Sequence, residues 1–115
     1  MSNSVLVVLT NPVAGKEDEY NAWYSDIHLR EVVDIPGFVS AQRFKLADAQ
    51  MGPAGDHRYL AVYEVEGDPA DALAALKAAR PDLQMSDALD MSTTSARMFT
   101  ALTERVTPGL SAKAS

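Results

Sequence analysis

The spacing of hydrophobic positions changes several times along the chain, and each change marks an element. Ser4 to Thr10, SVLVVLT, is apolar on both alternating sides, the pattern of a central strand covered on two faces. Asn11-Pro12 ends it, because proline has no amide to continue a ladder and asparagine favours turns. From Glu17 the period lengthens. Tyr20, Trp23, Tyr24, Ile27 and His28 fall on one face of a helix. Glu17, Asp18 and Glu19 set negative charge at the positive end of its dipole, and Pro36-Gly37 stops the segment.

One position breaks that stripe. Glu31 continues the spacing and lands in the middle of the face of a straight helix, while Leu29, Val32 and Val33 point elsewhere. A break or re-aimed turn just after His28 repairs the pattern. A helix that ended there would place the imidazole at a helix terminus facing a cavity.

Period two then returns. Phe38 to Leu46 reads as a strand, with Phe38, Ser40, Gln42, Phe44 and Leu46 on one side and Val39, Ala41, Arg43 and Lys45 on the other. Ala47 to His57 is a Gly/Pro/Asp-rich loop. In the strand Arg58 to Glu66, Tyr59, Ala61, Tyr63 and Val65 face one way, and the loop length favours antiparallel pairing with the preceding strand. Asp68 as N-cap and Pro69 at the first helical position open an Ala/Leu-rich helix that runs to Arg80 before Pro81. Asp82 to Thr94 is expected to be irregular with one short helical turn, and Ser95 to Val106 to form the last strand. The expected organisation is one domain, residues 1–108, and a flexible tail, 109–115.

The order strand, helix, strand, strand, helix, strand is the ferredoxin-like βαββαβ arrangement. It predicts an α+β fold: a four-stranded antiparallel sheet with helices on one face. The other face would be apolar and uncovered, so two sheets are expected to pack face to face in a homodimer, giving a dimeric α+β barrel.

Composition narrows the function classes. A chain of 115 residues with 47% apolar and 23% charged residues is an ordinary single globular domain. The absence of cysteine removes disulfides, thiolate metal sites and a cysteine nucleophile. A net charge of −6 with scattered basic residues argues against nucleic acid and anionic membranes as partners. The N-terminal stretch has neither a basic leader nor a membrane-length apolar run, so a cytoplasmic location is expected. Phosphate-binding glycine motifs and the GxSxG elbow are missing, which removes the usual support for nucleotide cofactors or α/β-hydrolase chemistry.

His28 is the leading chemical candidate. An imidazole beside aromatic rings can act as acid or base near neutral pH, tuned by Asp26, Glu31 or Glu64; the alternative is a structural histidine bonded to a carbonyl or stacked in the core. Tyr24, Tyr59 and Tyr63 can donate hydrogen bonds to a substrate oxygen, or be core aromatics with a wet hydroxyl. Gln42 and Arg43 can hold a carboxylate or hydroxyl, or be sheet-surface polarity. Met85, Met91 and Met98 read as adaptable core or cavity lining. His28 and His57 share no ligand spacing, and no metal is expected.

The segment NPVAGKEDEYNAWYSDIHLREVVDIPGFVSAQRF resembles the EthD-like branch of the dimeric α+β barrel superfamily: an acidic helix start, a Trp-Tyr pair, a His four residues after the Tyr, then Pro-Gly-Phe and a Ser-Ala-Gln-Arg-Phe strand. The later MSDALDMSTTSARMF is similar to the tail of bacterial members. The resemblance implies ligands held between sheet and helices, and a proposed acid/base role that maps to His28. Many relatives carry proline two residues after that His; this chain has Arg30, within reach of a ligand or partner subunit. The combined expectation is a cofactor-independent enzyme of lyase, isomerase or cyclase type acting on a small aromatic or polyketide-like compound. His28 would move the proton, with Tyr24 and Tyr63 orienting a phenolate or enolate oxygen. Trp23, Arg30, Gln42, Phe44, Tyr59, Met85 and Phe99 would contact substrate. A non-catalytic binder of small hydrophobic ligands and a cofactor-free monooxygenase are the alternatives.

Overall fold

A computed structural model of the chain describes residues 3–109. Strand β1 (Ser4–Thr10) leads to a long helical segment made of α1 (Glu17–Trp23), a π-helical turn (Tyr24–His28) and α2 (Leu29–Val33). Strands β2 (Phe38–Lys45) and β3 (Tyr59–Val65), helix α3 (Pro69–Ala79) and strand β4 (Ser95–Thr100) complete the order. The sheet runs β2-β3-β1-β4 with every neighbouring pair antiparallel. This is the expected ferredoxin-like α+β fold. Of the expected tail, all but Gly109 lies outside the described residues.

The long helical segment lies on one sheet face, and the core forms between them. Tyr20, Trp23, Tyr24 and Val32 from the helices meet Leu6, Tyr59, Ala61, Tyr63 and Val65 from the sheet. Arg43 reaches up from β2 into this layer. Its guanidinium lies 4.6 Å from the Tyr24 ring centroid and donates to Asn21 Oδ1 (2.9 Å) and Ser25 Oγ (2.8 Å), so it fixes the rotation of the helix over the sheet. Asp68 caps α3 by accepting from the Ala70 amide at 2.8 Å, with Pro69 in the first turn.

Three expectations are corrected. The helix does not end near His28; it stays helical to Val33 through the π turn. The sides of β2 are also reassigned. A bulge at Val39 lets Phe38 pair with Val65 and Ser40 with Glu64, so Phe38, Ala41 and Arg43 share the helix-facing side while Ser40, Gln42 and Phe44 face away. One extra residue in a strand moves every later side chain to the opposite face. Finally, β4 stops at Thr100 rather than Val106. Thr100 pairs with Ser4, the first residue of β1, so among the described residues the chain beyond has no strand to pair with. Just past the strand, the Ala101 amide donates to the Asn3 carbonyl at 2.7 Å.

Gly37 sits where α2 turns into β2, with φ at +99°, and a Cβ there would lie 3.0 Å from the Ala72 Cβ of α3. Both the left-handed backbone and the close approach require glycine. The far face of the sheet is uncovered and apolar, with Val39, Phe44 and Phe99 between 43% and 55% exposed. An open depression of about 1060 Å³ lies on that side, bordered by Val5, Val39, Phe99, Leu102 and Val106, and none of the residues bordering it is Tyr24, His28 or Tyr63. Among the described residues, no helix is long and apolar enough to cross a membrane.

Candidate functional site

The site begins with the π turn. The Leu29 amide bonds to the Tyr24 carbonyl five residues back, one more than α-helical spacing allows. In a regular α-helix residues five apart point about 140° from each other. The wider turn brings Trp23 and His28 onto one face instead. Their rings stack with centroids 4.7 Å apart and planes 24° from parallel. The Tyr24 ring meets the imidazole edge-on at 5.0 Å. The helix misfit seen in the sequence is therefore resolved by widening the helix, and the resulting geometry presents His28.

Glu31 closes the other side of the imidazole. Its Oε1 lies 3.8 Å from His28 Nδ1, close enough for charge attraction and too far for a hydrogen bond, and both atoms are buried without a hydrogen-bond partner. The other carboxylate oxygen accepts the Gln84 amide at 2.9 Å. The Gln84 carbonyl in turn accepts Trp23 Nε1–H at 2.7 Å. Side chains flanking His28 thus hold both backbone groups of one residue in the segment between α3 and β4. That segment is also tied to the loop after β1, through the Val13 amide to the Ala88 carbonyl (2.7 Å) and the Asp90 amide to the Asn11 carbonyl (3.0 Å). Its short helical turn is Met91–Thr93.

Under this segment lies a cavity of about 250 Å³ between α3 and the sheet. His28, Tyr24 and Tyr63 form its polar wall; Leu6, Val8, Val32, Leu73, Leu76 and Leu89 are among its apolar lining. With Nδ1 turned toward Glu31, Nε2 is the ring nitrogen left to face the cavity. The Tyr63 hydroxyl donates to the Tyr24 hydroxyl at 3.3 Å, which leaves the Tyr24 proton free for a guest. Burial pushes the Tyr24 phenol up to about 12 and the Tyr63 phenol higher still, so both stay protonated donors. Burial also lowers the His28 pKa below 6.5, with Arg80 acting in the same direction and Glu31 opposing. The imidazole is therefore neutral near pH 7, the form that accepts a proton.

Of the sequence-predicted residues, His28, Tyr24, Tyr63, Met85 and Met91 meet at this cavity. Trp23 stands behind His28 rather than on the wall. Tyr59 is buried but turned away, its hydroxyl donating to Glu17 and accepting from Asn21 at 3.1 Å. Gln42, Phe44 and Phe99 lie on the far face of the sheet: the Val39 bulge turns the first two there, and Phe99 pairs with Val5. Arg30 is exposed on α2 and does not line the cavity. The His57 ring bonds to the Thr93 carbonyl at 2.6 Å. Among the described residues, no group of three or more His, Cys, Asp or Glu side chains is arranged to hold a metal.

Sequence reasoning missed the contribution of α3. Leu73, Leu76, Lys77 and Arg80 all line the cavity. Their spacing, i, i+3, i+4 and i+7, was the available signal, hidden by the uniform Ala/Leu character of the helix.

No protein-family model and no curated protein matches the sequence. Solved structures do share the fold. A heme-degrading protein from Mycobacterium tuberculosis, MhuD, solved with two hemes bound in its active site, aligns with a TM-score of 0.62 at 19% identity, covering 90% of this chain and 99% of that one. A candidate monooxygenase from Shewanella loihica PV-4 aligns at 0.58 and 16% identity, covering 92% and 99%. An EthD family protein from Bacillus halodurans C-125 aligns at 0.55 and 11% identity, covering 86% and 97%. At these identities the likeness is one of fold.

Proposed function

We propose that this chain is a small enzyme that moves a proton on an aromatic or polyketide-like compound held in the cavity, with His28 as general acid/base. The observation that carries the reading is a partly buried imidazole, its pKa lowered by burial and its Nδ1 backed by Glu31, on the wall of an apolar cavity beside the Tyr24 hydroxyl. The EthD-like resemblance of the α1 segment supports the same role.

In this reading Nε2 takes a proton from an acidic C–H or O–H of the bound compound. The electron pair left behind spreads onto an adjacent oxygen, forming an enolate or phenolate. Tyr24 donates a hydrogen bond to that oxygen, and Tyr63 orients Tyr24. The imidazolium that forms is favoured by the Glu31 carboxylate beside Nδ1. Returning the proton to a different atom completes an isomerisation; in a cyclisation the enolate carbon first bonds to a carbonyl carbon of the same molecule, that carbonyl's π bond breaks, and the proton is returned to the alkoxide so formed. Returning it to the carbon from which a carboxylate has left as carbon dioxide completes a lyase reaction.

The test is turnover of candidate aromatic substrates by wild type and His28→Gln. Loss of a positioned acid/base costs about 10²–10⁴ in rate. A variant with full activity removes His28 from the acid/base role. If both proteins bind the compounds alike and neither turns them over, the chain is a carrier of the same fold.

A cofactor-free oxygenase is the second reading, prompted by the oxygen-related description of one structure that shares the fold. The same base would generate the electron-rich carbanion that reacts with dioxygen, and oxygen uptake separates it from the lyase and isomerase reading. Haem does not fit. The cavity of about 250 Å³ is below the roughly 300–1,000 Å³ of pockets for drug-sized ligands, and the His28 ring is packed between Trp23 and Tyr24.

The uncovered face bearing Val39, Phe44 and Phe99 supports a homodimer formed through the sheets. Light scattering at twice the chain mass, returning to the chain mass in Phe99→Glu, is the expected result; a monomeric wild type removes this assembly.

A further inference from the structure

The cavity has a charge pattern that its parent chain does not. The chain carries 16 acidic and 10 basic residues, yet among the described residues no carboxylate lines this cavity, and both of its formally charged side chains, Lys77 and Arg80, are cationic. Both sit in the last turn of α3 or just beyond it, three residues apart and therefore on the same face of the helix. Both are exposed, which puts their charged ends at the cavity mouth rather than in its apolar depth. Neither makes an ion pair among the described residues, whose two such pairs are His28–Glu31 and Arg58–Glu17.

A cation near a helix C-terminus is an ordinary complement to the dipole. That accounts for one charge and not for this arrangement, since the C-terminal end carries only about half an elementary charge. Two full positive charges leave a net positive mouth, continuous with the polar wall of Tyr24, Tyr63 and His28 through Leu73 and Leu76.

Building on the acid/base reading above, we propose that the compound the cavity takes is an anion: an aromatic or polyketide-like body carrying a carboxylate that rests against Lys77 and Arg80. The body enters between Leu73, Leu76 and Val8, and its reactive oxygen meets Tyr24. The two cations set which end enters first. A neutral compound of the same shape has no such preference and gains nothing from the mouth.

The probes are 2-naphthoate and its neutral methyl ester, with binding measured by calorimetry and the His28 imidazole resonance followed by NMR. Wild type is expected to bind 2-naphthoate about tenfold tighter than the ester. The preference is expected to weaken with added salt, and both probes to shift the His28 resonance. In Lys77→Gln/Arg80→Gln the naphthoate should fall to the level of the ester, with ester binding unchanged. Equal binding of the two probes to wild type, each shifting His28, overturns the anion proposal and leaves the aromatic cavity standing. A preference that survives the double substitution, or naphthoate binding that leaves His28 unmoved, overturns it as well. If neither probe binds, the aromatic cavity and the anion proposal fall together.

Discussion

His28 Nδ1 and Glu31 Oε1 are 3.8 Å apart, one helical turn from each other, and both are buried without a hydrogen-bond partner. The pair is poised rather than formed. A neutral imidazole gains little from the carboxylate, while an imidazolium would be attracted to it at once. Burial and Arg80 work against protonation and Glu31 works for it, with burial the largest effect. Burial therefore sets how readily His28 accepts a proton, and Glu31 and Arg80 adjust it in opposite directions.

Glu31→Gln removes the one opposing influence. Glutamine keeps an oxygen for the Gln84 amide, so the segment over the cavity stays tied. The His28 pKa is expected to fall further, read from the imidazole resonances of a chain that has two histidines. An unchanged titration would mean that the carboxylate does not act on His28.

The same depressed pKa links stability to pH. The unfolded chain takes up a proton on His28 near pH 6.5, whereas the folded chain does so only at lower pH. Stability is thus fully present above pH 6.5 and falls as pH drops toward the folded pKa, below which the loss is constant. Glu17, held below 4.5 chiefly by the Tyr59 hydroxyl, loses its contribution in a lower window. Thermal melts between pH 7 and 5 are expected to decline in wild type and to flatten in His28→Gln; parallel slopes would assign the decline to other groups.

Tyr63→Phe removes the hydroxyl that orients Tyr24. The lost bond is expected to cost about 0.5–1.5 kcal/mol of stability by denaturant unfolding. Tyr24→Phe removes the donor that faces the cavity and is expected to lower kcat by about 10²-fold or more. Activity should suffer more in Tyr24→Phe than in Tyr63→Phe. The opposite order would make Tyr63 the group nearer the reacting oxygen.

Gly37→Ala combines a left-handed backbone with a 3.0 Å approach to Ala72, whereas Gly15→Ala meets open space at a φ of +82°. Each is expected to lose roughly 1 kcal/mol or more from backbone strain, with the larger loss at Gly37. Chemical denaturation of the two variants side by side isolates the steric part, and equal losses would remove it.

The fold was readable because its signals are local and repeated. The β-branched run of β1, the Pro-Gly stop before β2 and the Asp68-Pro69 start of α3 each depend on a few neighbouring residues. The errors arose where one residue changes a register. Nothing in Phe38-Val39-Ser40 announces a bulge, yet it moved Gln42 and Phe44 to the far face and turned Arg43 inward. Glu31 did announce the helix irregularity, but a widened turn and a helix end leave the same mark in a hydrophobic pattern. The cations of α3 were hidden for a different reason. Their meaning depends on which face of α3 borders the cavity, and that is decided by tertiary packing.

The π turn makes the aim of α2 depend on a count of residues rather than on their identity. Tightening the turn to ordinary α-helical winding with no residue removed would rotate everything after it by about 100° relative to Trp23, whereas deleting the exposed Asp26 along with it would leave His28 four residues from Trp23 and on the same face. In the first case Val32 would leave the core and the imidazole would slide off the indole; in the second both would stay where they are. Aligning this chain with a relative that lacks the extra residue therefore requires a one-residue gap between Tyr24 and His28. A gapless alignment would match every side chain from Leu29 to Val33 one place out of phase.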